Sequence, residues 1–434
     1  MDMQLSRSFN LHLIWKSLSL AVNLITTILI ARLLGASLSG QFFYFLSWMS
    51  FLVLMASLSL DSSITYFTAS KMIPRQQILT IAIIWILLVF IILAVVGNIL
   101  GDKIRFIADL PANGFLLGLF FIAGQLMINY FTALYYGEKE FVLPAKILSF
   151  SGIVYVLFLI FCMMQDSSVV YYNLIISSYI YFILIQGLII MSLVIFSKEV
   201  KLFSFSFDIR LLKDLFVYSS TAFAANILFF LVTRVDYWFL HYYNADGVSI
   251  GNYIQVSRIV QLFQILPSMI AAFLFPVVAS NKEKILPHLT LLCRIIILLD
   301  LICVIILGFF GKYLFPFIFG VSFRQMHELF LLLMPGIFSL SLLAIFSAYF
   351  AGINKVKINM LGAIFGLISV SLLNYIFIPF YHVKAAAIVS SVGYTVCMMY
   401  ALFYMKKNFN FSVKELFVIK SADISILKKL IANK

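Results

Sequence analysis

Charged side chains stand inside the long apolar stretches of this sequence, where charge is rarely found. Five are cations and three are carboxylates: Lys16, Arg32, Arg234, Arg258, Arg294, Asp61, Asp236 and Asp300. An ionised side chain at the centre of a bilayer costs about 2.5–3.5 kcal/mol, so each of these needs water, a partner or a ligand. Arginine offers two parallel hydrogen bonds to a phosphate, so a cationic excess favours an anionic passenger such as a diphosphate. A carboxylate in the same setting could carry a proton or Na⁺.

The surrounding composition is that of a membrane protein. The 434 residues are 64% hydrophobic and 11% charged, with a mean hydropathy of +1.10. A soluble domain would carry about a quarter charged residues. Since one spanning helix needs about 20 apolar residues, the sequence predicts an all-α polytopic protein of about twelve spans. The predicted spans are roughly 11–34, 41–69, 78–100, 114–135, 146–164, 169–196, 214–241, 250–280, 287–310, 325–350, 357–380 and 384–405.

The lysines and arginines between these spans predict the orientation. With the amino terminus inside, twenty fall in the inner segments and five in the outer ones. This is the positive-inside bias, and it predicts a bacterial inner-membrane protein with both termini in the cytoplasm. Because the net charge of +13 is spread between apolar runs, no nucleic acid is expected as a partner. Membrane lipids are expected as partners.

The positions within the spans separate the candidate residues. Arg234 and Asp236 are two residues apart, about 200° around a helix, so they cannot face the same way. One is expected to face a cleft and the other a neighbouring helix. Arg258 in the next span either binds a ligand or pairs with Asp236, and both options stay open. Lys16 and Arg32 lie near the two ends of the first span, where each either binds cargo or extends towards the interface.

The remaining three charges lie in the second and ninth spans. Arg294 is near the inner end of its span and is expected at the interface. Asp300 is near the middle of the same span and six residues from Arg294. It could carry a coupling ion or, while neutral, hydrogen-bond a tyrosine. Asp61 in the second span has the same two interpretations.

An internal repeat organises the chain. The loop that ends in Gly40 resembles the loop that ends in Gly251, and Gly137 resembles Gly352 at nearly the same offset. These matches predict two six-span lobes of parallel topology, related by a pseudo-twofold axis along the membrane normal, with a cleft between them. The predicted parts are a lobe at 1–196, an amphipathic cytoplasmic connector at 197–213, a lobe at 214–405 and an amphipathic cytoplasmic tail at 406–434.

Several short motifs resemble one known family. Ile30-Ala-Arg-Leu-Leu-Gly35 is followed by Gly40-Gln-Phe, and the second half carries Thr233-Arg-Val-Asp-Tyr-Trp238, then Gly251-Asn-Tyr253 and Ser257-Arg258. Together they resemble the Wzx-type polysaccharide flippases of the multidrug/oligosaccharidyl-lipid/polysaccharide (MATE-like) superfamily. In Lys384-Ala-Ala-Ala387 a lysine replaces the family's usual glycine.

The resemblance implies alternating access with an undecaprenyl-pyrophosphate-linked glycan as cargo, such as an O-antigen, lipopolysaccharide or capsule repeat unit. It also implies that spans 1, 2, 7 and 8 line the cleft, with polysaccharide polymerase or export proteins as potential partners. The substrate-binding cations would be Arg234, Arg258, Arg32 and Lys16. Asp236, Asp300 and Asp61 would be coupling or ion-pair carboxylates, with H⁺ or Na⁺ as the coupling ion and no other cofactor.

Other classes of function fit the sequence less well. A cation-coupled drug antiporter of the same superfamily should have an acidic rather than a basic cleft. A lipid II flippase of fourteen spans would need two more apolar runs. A membrane glycan polymerase or ligase usually needs a long outer loop, whereas the longest outer gaps here have about 14 residues. The motifs of zinc proteases, phosphate loops and nucleophile elbows are missing, and the four cysteines lack metal-ligand spacing. We therefore expect neither an enzyme nor a metal site.

Overall fold

The fold was analysed in a computed structural model, which describes residues 3–100, 114–165, 171–196, 209–243, 245–280, 282–409 and 411–416. Within these ranges the regular structure consists of α-helices and two short 3-10 helices, Val321–Phe323 and Val413–Leu416, without a strand. This confirms the all-α class. The α-helices are α1 Met3–Ser57, α2 Leu60–Ser70, α3 Arg75–Leu100, α4 Gly114–Gly137, α5 Val142–Met163, α6 Tyr171–Phe196, α7 Ile209–Tyr242, α8 Gly247–Leu262, α9 Ile265–Ser280, α10 Lys282–Phe319, α11 Met326–Gly352 and α12 Val356–Phe409.

Helices α1 and α12 are too long for a single crossing. They contain 55 and 54 residues, about 80 Å of helix for a hydrocarbon core of about 30 Å. Non-helical backbone interrupts them at Gly35, where φ is 68°, and at His382, where φ is 46°. Each therefore contains two of the predicted spans. The described residues contain ten helices long and apolar enough to cross a membrane, and with two spans in each of these helices they account for the twelve predicted spans of a multi-pass membrane protein.

The second span is broken near its middle. Helix α1 ends at Ser57, and Leu58 and Ser59 have φ values of 47° and 53° before α2 begins. Inside a bilayer, carbonyl groups released by such a break need other donors. Trp85 Nε1 donates to the Ala56 carbonyl at 2.8 Å, and the Tyr130 hydroxyl donates to the Ser57 carbonyl at 3.0 Å. Side chains of α3 and α4 thus stabilise the break.

The eighth span is also broken, between α8 and α9. The backbone amides of Phe263 and Gln264 turn back onto the carbonyls of Val260 and Gln261 at 3.2 and 3.0 Å. Pro267 follows in the first turn of α9, where a missing N–H removes no helical hydrogen bond. The second span of each predicted lobe therefore consists of two helices, and the sequence analysis predicted neither break.

The chain forms two compact units, Met1–Ile227 and Leu228–Lys434. The boundary lies inside α7 because the beginning of that helix packs on α2. Ser63 Oγ donates to the Leu215 carbonyl at 2.8 Å, and the rings of Tyr66 and Tyr218 stack at 4.5 Å. The two six-span lobes, the connector at 197–213 and the tail at 406–434 stay predictions. Residues 197–208 and 417–434 lie outside the described ranges.

Candidate functional site

Asp236 is the most deeply buried of the predicted site carboxylates, with 1% of its surface exposed. Its Oδ1 accepts a hydrogen bond from its neighbour's backbone, Tyr237 N–H, at 3.0 Å. Its Oδ2 accepts from the Tyr253 hydroxyl of α8 and, at 2.9 Å, from Ser390 Oγ of α12. Three helices of the second unit therefore meet at one carboxylate. The donors to this carboxylate are thus two hydroxyls and a backbone amide, and both alternatives for Arg258 stay predictions.

Arg234 makes its hydrogen bonds to side chains other than Asp236, although its charge acts on that carboxylate. Its guanidinium donates to the Tyr237 hydroxyl and, through Nη2, to Gln261 Oε1 at 2.8 Å. The guanidinium carbon also lies 5.0 Å from the centroid of the Tyr237 ring. These partners are all uncharged. Arg234 is half-buried, so a ligand can still reach its remaining N–H groups.

Tyr237 connects the cationic and the acidic parts of this cluster. Its ring meets that of Tyr253 edge-on, with centroids 5.8 Å apart and an interplanar angle of 86°. The half-buried guanidinium of Arg258 lies close enough to act electrostatically on the Tyr237 hydroxyl. Arg234, Arg258 and Asp236 therefore belong to one polar cluster within the second unit, which we call the α7–α8 cluster together with Tyr237, Tyr253, Gln261 and Ser390.

Two buried amides were missed by the sequence analysis. Gln255 and Asn374 are 1% and 0% exposed, and neither side-chain amide has a hydrogen-bond partner among the described residues. Gln255 lies on α8, two residues from Tyr253. The signal for both is an amide inside an apolar span, which is weaker than that of a charged side chain.

The packing inside α12 gives the position of Asn374. A Cβ on Gly366 would lie 2.2 Å from Cys397 Sγ, and one on Gly393 would lie 2.0 Å from Val370 Cγ2. These two contacts show that the two spans of α12 are antiparallel and tightly packed. One further turn along the same register brings Asn374 level with Ser390 and hence with the Asp236 carboxylate.

The first unit contains three of the predicted site residues. Lys16 and Arg32 are exposed on α1, and Asp61 is half-buried in the first turn of α2, just after the break. Asp61 acts electrostatically on the Tyr130 hydroxyl. Nearby, Asn226 Nδ2 donates to Ser59 Oγ at 3.1 Å. These three residues do not form a common cluster of side-chain contacts among the described residues.

The last two candidates lie on α10 of the second unit. Asp300 and Arg294 are each 6% exposed. Asp300 lies beside Ser341 of α11, and its Oδ2 has no hydrogen-bond partner in the described part of the chain. Arg294 is covered by protein, and its predicted position at the membrane interface stays a prediction. In the same part of the chain, no group of three or more His, Cys, Asp or Glu could hold a metal ion.

Comparisons with known proteins give fold similarity at low sequence identity. No family model matches the chain, and no curated protein matches it. A solved structure described as lipid II flippase MurJ in an inward closed conformation has a TM-score of 0.73 and 14% identity, covering 100% of this chain and 93% of that one. An inward-facing multidrug resistance MATE family transporter of the MOP superfamily has a TM-score of 0.68 and 16% identity, covering 91% and 94%.

A third solved structure is the MATE transporter VcmN of Vibrio cholerae in its bent form, with a TM-score of 0.63 and 11% identity over 93% of this chain and 97% of that one. At these identities the similarity shows the fold alone. The chain is a multi-pass membrane protein with a MATE-like fold, a fold that these transporters and this flippase share.

Proposed function

We propose that this protein is a flippase that carries a diphosphate-linked oligosaccharide lipid across a bacterial inner membrane by alternating access. The observation that supports this most directly is the state of Arg234. It lies within a membrane span, yet all its hydrogen bonds go to uncharged groups, Tyr237 and Gln261. A cation in that position is stabilised most by an anionic ligand, worth about 4 kcal/mol for a charge pair 4 Å apart in a partly polar protein environment.

The class of cargo is proposed from the net charge of the α7–α8 cluster and from the planar shape of its guanidinium groups. The α7–α8 cluster has two guanidinium groups for one carboxylate, and the hydrogen bonds of that carboxylate go to hydroxyls and a backbone amide rather than to an arginine. A planar guanidinium binds diphosphate oxygens in pairs. The polyprenyl tail would remain in the bilayer while the diphosphate and its glycan cross. Lys16 and Arg32 stay predicted cargo ligands in the first unit.

The proposed orientation has both termini in the cytoplasm. Its support is the distribution of twenty inner against five outer lysines and arginines. In this orientation, α2 and α9 lie in the cytoplasmic half of the membrane, and the α7–α8 cluster lies nearer the outer surface. The polymerase or export partners of such a flippase also stay predictions.

Asp236 is the carboxylate that we propose for ion coupling. As an anion it accepts two hydroxyl hydrogen bonds at Oδ2, whereas a protonated carboxyl group would have to donate one. Protonation of Asp236 therefore changes the hydrogen bonds of the Tyr253 hydroxyl in α8 and the Ser390 hydroxyl in α12. The amide of Asn374, level with Ser390, could supply an oxygen ligand if the coupling ion is Na⁺. Asp300 and Asp61 remain alternatives for the same role.

The experiment compares arginine variants in cells that lack the chromosomal gene. Arg234→Gln and Arg258→Gln should each lower the export of surface polysaccharide at least tenfold and cause the lipid-linked precursor to accumulate in the cytoplasmic leaflet. Arg324→Gln is the matched control, because this arginine is exposed in the loop before α11. Export at the normal level in both cluster variants, at normal expression, would refute the proposed cargo site.

A cation-coupled drug antiporter is the second candidate, and the buried carboxylate at Asp236 is the observation that favours it. The two functions predict opposite responses to Arg234→Gln. Removing this cation should improve export of a cationic dye by an antiporter, whereas it should impair a flippase. Dye efflux from cells that express wild type or Arg234→Gln therefore distinguishes them.

A further inference from the structure

A second cationic cluster lies in the first unit, where α1 packs on α5. It consists of His12, Trp15 and Lys16 of α1 and Lys146 and Phe150 of α5, and we call it the α1–α5 cluster. Lys146 Nζ lies 5.5 Å from the centroid of the Trp15 ring. The Trp15 ring also stacks on that of Phe150, with centroids 6.3 Å apart. Lys16 follows Trp15 in the chain and lies one turn beyond His12, on whose ring its charge acts.

The backbone contacts around this cluster hold its side chains in place. Ser149 Oγ donates to the Trp15 carbonyl at 3.0 Å, and His12 Nδ1–H donates to the Phe141 carbonyl at 2.8 Å. One turn deeper, Val22 fills the space beside Gly152, where a Cβ would meet it at 2.6 Å. Helices α1 and α5 are therefore closely packed here, and the two lysines extend from this packed surface.

In the described part of the chain, no acidic side chain neutralises the charge of this cluster. Lys16 and Lys146 are both exposed, and neither has an acidic partner among the described residues. The two acidic side chains in the loop between α4 and α5 do not pair with these lysines. Glu138 forms an ion pair of 2.6 Å with Arg75, and Glu140 is exposed. Lys16 and Lys146 therefore form a cationic surface that could bind an anion.

The apolar neighbours of the cluster indicate what kind of molecule would carry the negative charge that binds there. Phe150 is 64% exposed and Ile14 is 63% exposed, so the described residues leave both apolar side chains open to an acyl chain. Tryptophan and lysine side by side are typical of the headgroup level of a bilayer. A phosphate bound here would thus belong to a molecule whose chains lie along Phe150 and Ile14.

We propose that the α1–α5 cluster binds the headgroup phosphate of an anionic phospholipid. Lys16 and Lys146 supply the charge, Trp15 lies at the glycerol level, and Phe150 supports an acyl chain. In the orientation proposed above, this site lies in the cytoplasmic leaflet, where polybasic clusters bind anionic lipids. The site shares Lys16 with the cargo ligands predicted from the sequence, but it includes neither arginine of the α7–α8 cluster.

The second unit offers a matched control. Lys355 also lies over aromatic rings, 5.4 Å from the centroid of Tyr404 and 5.6 Å from that of Phe409. In contrast to Lys146, its ammonium group donates a hydrogen bond of 3.0 Å to the Tyr404 hydroxyl. A protein group therefore already occupies part of its hydrogen-bonding capacity, and we expect little lipid binding there.

Native mass spectrometry of the full-length protein, with phosphatidylglycerol or phosphatidylcholine added to detergent micelles, tests the proposal. Wild type should retain phosphatidylglycerol in preference to phosphatidylcholine. Each basic residue near a membrane surface contributes enough that losing two should weaken this retention roughly thirtyfold in Lys16→Gln/Lys146→Gln. Lys355→Gln should retain the lipid as wild type does. Phe150→Ala should weaken retention while leaving the preference for phosphatidylglycerol intact.

Three outcomes would overturn the proposal. Equal retention of both lipids would show that charge does not matter. Unchanged retention of phosphatidylglycerol in the double lysine variant would show that the lipid binds elsewhere. Undecaprenyl diphosphate retained by the lysines in place of phosphatidylglycerol would make the cluster a cargo site. The export measured for Arg234→Gln does not depend on any of these lipid-binding results. A failure of the lipid-site proposal therefore leaves the proposed function unaffected.

Discussion

The first and second units satisfy their buried polar groups in different ways. At the break in the second span, neutral side chains donate to backbone carbonyls: Trp85 to Ala56 and Tyr130 to Ser57. In the α7–α8 cluster, charged side chains bind other side chains, and the hydrogen bonds of Arg234 and of Asp236 go to different groups. The first arrangement compensates for irregular backbone. The second keeps charge inside the membrane, which costs free energy and requires water, a partner or a ligand.

The largest expected effect on stability is that of Asp236→Ala, which removes the acceptor of three hydrogen bonds. The hydroxyls of Tyr253 and Ser390 would lose a charged partner, and hydrogen bonds to charged groups contribute about 1.5–3 kcal/mol each. The free energy of unfolding in detergent should fall by about 3 kcal/mol, and export should stop. Asp236→Asn keeps the shape and should lose less stability but as much export. Normal export by the asparagine variant would exclude Asp236 from coupling.

Tyr130→Phe tests the first unit. This change leaves the Ser57 carbonyl without its hydroxyl donor inside the membrane, at a cost of about 1–3 kcal/mol. Thermal unfolding in detergent should show the loss, whereas export per folded molecule should stay within about twofold of wild type. A large loss of export at unchanged stability would show that the break itself takes part in transport.

Asp246→Ala removes the side-chain cap of α8, since Asp246 Oδ1 accepts from Ser249 N–H at 2.9 Å. Loss of such a cap costs about 1 kcal/mol. Partial burial raises the pKa of Asp246, but the hydrogen bonds from Ser249 and the backbone amide of Val248, with the charge of His382, lower it further than burial raises it. The cap thus stabilises the fold above the carboxyl group's ordinary pKa of about 4, and this contribution is lost as the pH falls through the lowered pKa.

Unfolding measured at pH 7 and at low pH checks this prediction. The difference in stability between wild type and Asp246→Ala should shrink as the pH falls. Asp246→Asn should keep most of the cap at both pH values, because an amide oxygen also accepts at this position. A difference that stays constant with pH would contradict the role of the ionised carboxylate.

Asn374→Leu is expected to change stability least. The amide is fully buried and lacks a partner among the described residues, so an apolar side chain of similar size should leave the unfolding free energy within about 1 kcal/mol of wild type. Export should nevertheless fall if the amide takes part in coupling at Asp236. Unchanged export with unchanged stability would separate Asn374 from the mechanism.

The spans were predictable from the sequence because their signal is local. Apolar runs bounded by charge gave the all-α class, and the gap between the last two spans contains His382, where α12 is interrupted. The two breaks were not predicted. Partners distant in sequence stabilise the one in the second span: Trp85 and Tyr130 lie about 30 and 70 residues beyond the carbonyls that they bind.

The candidate site was predictable only in part for the same reason. The spacing of Arg234 and Asp236 predicted different directions from helix geometry alone, and the two side chains bind different groups. The partners of Asp236 could not be identified, because Tyr253 and Ser390 are 17 and 154 residues away. Tyrosine and serine are common in apolar spans, and the sequence alone cannot tell which hydroxyl reaches the carboxylate.

The packing of α2 on the start of α7 has a consequence for how this chain came to fold. An ancestral duplication would have produced two copies, each able to fold by itself. Here the contacts of Ser63 with Leu215 and of Tyr66 with Tyr218 join the second span of the first predicted lobe to the start of α7. A fragment cut before α7 would leave those surfaces of α2 uncovered. We therefore expect such a fragment to be less stable than one that keeps the start of α7.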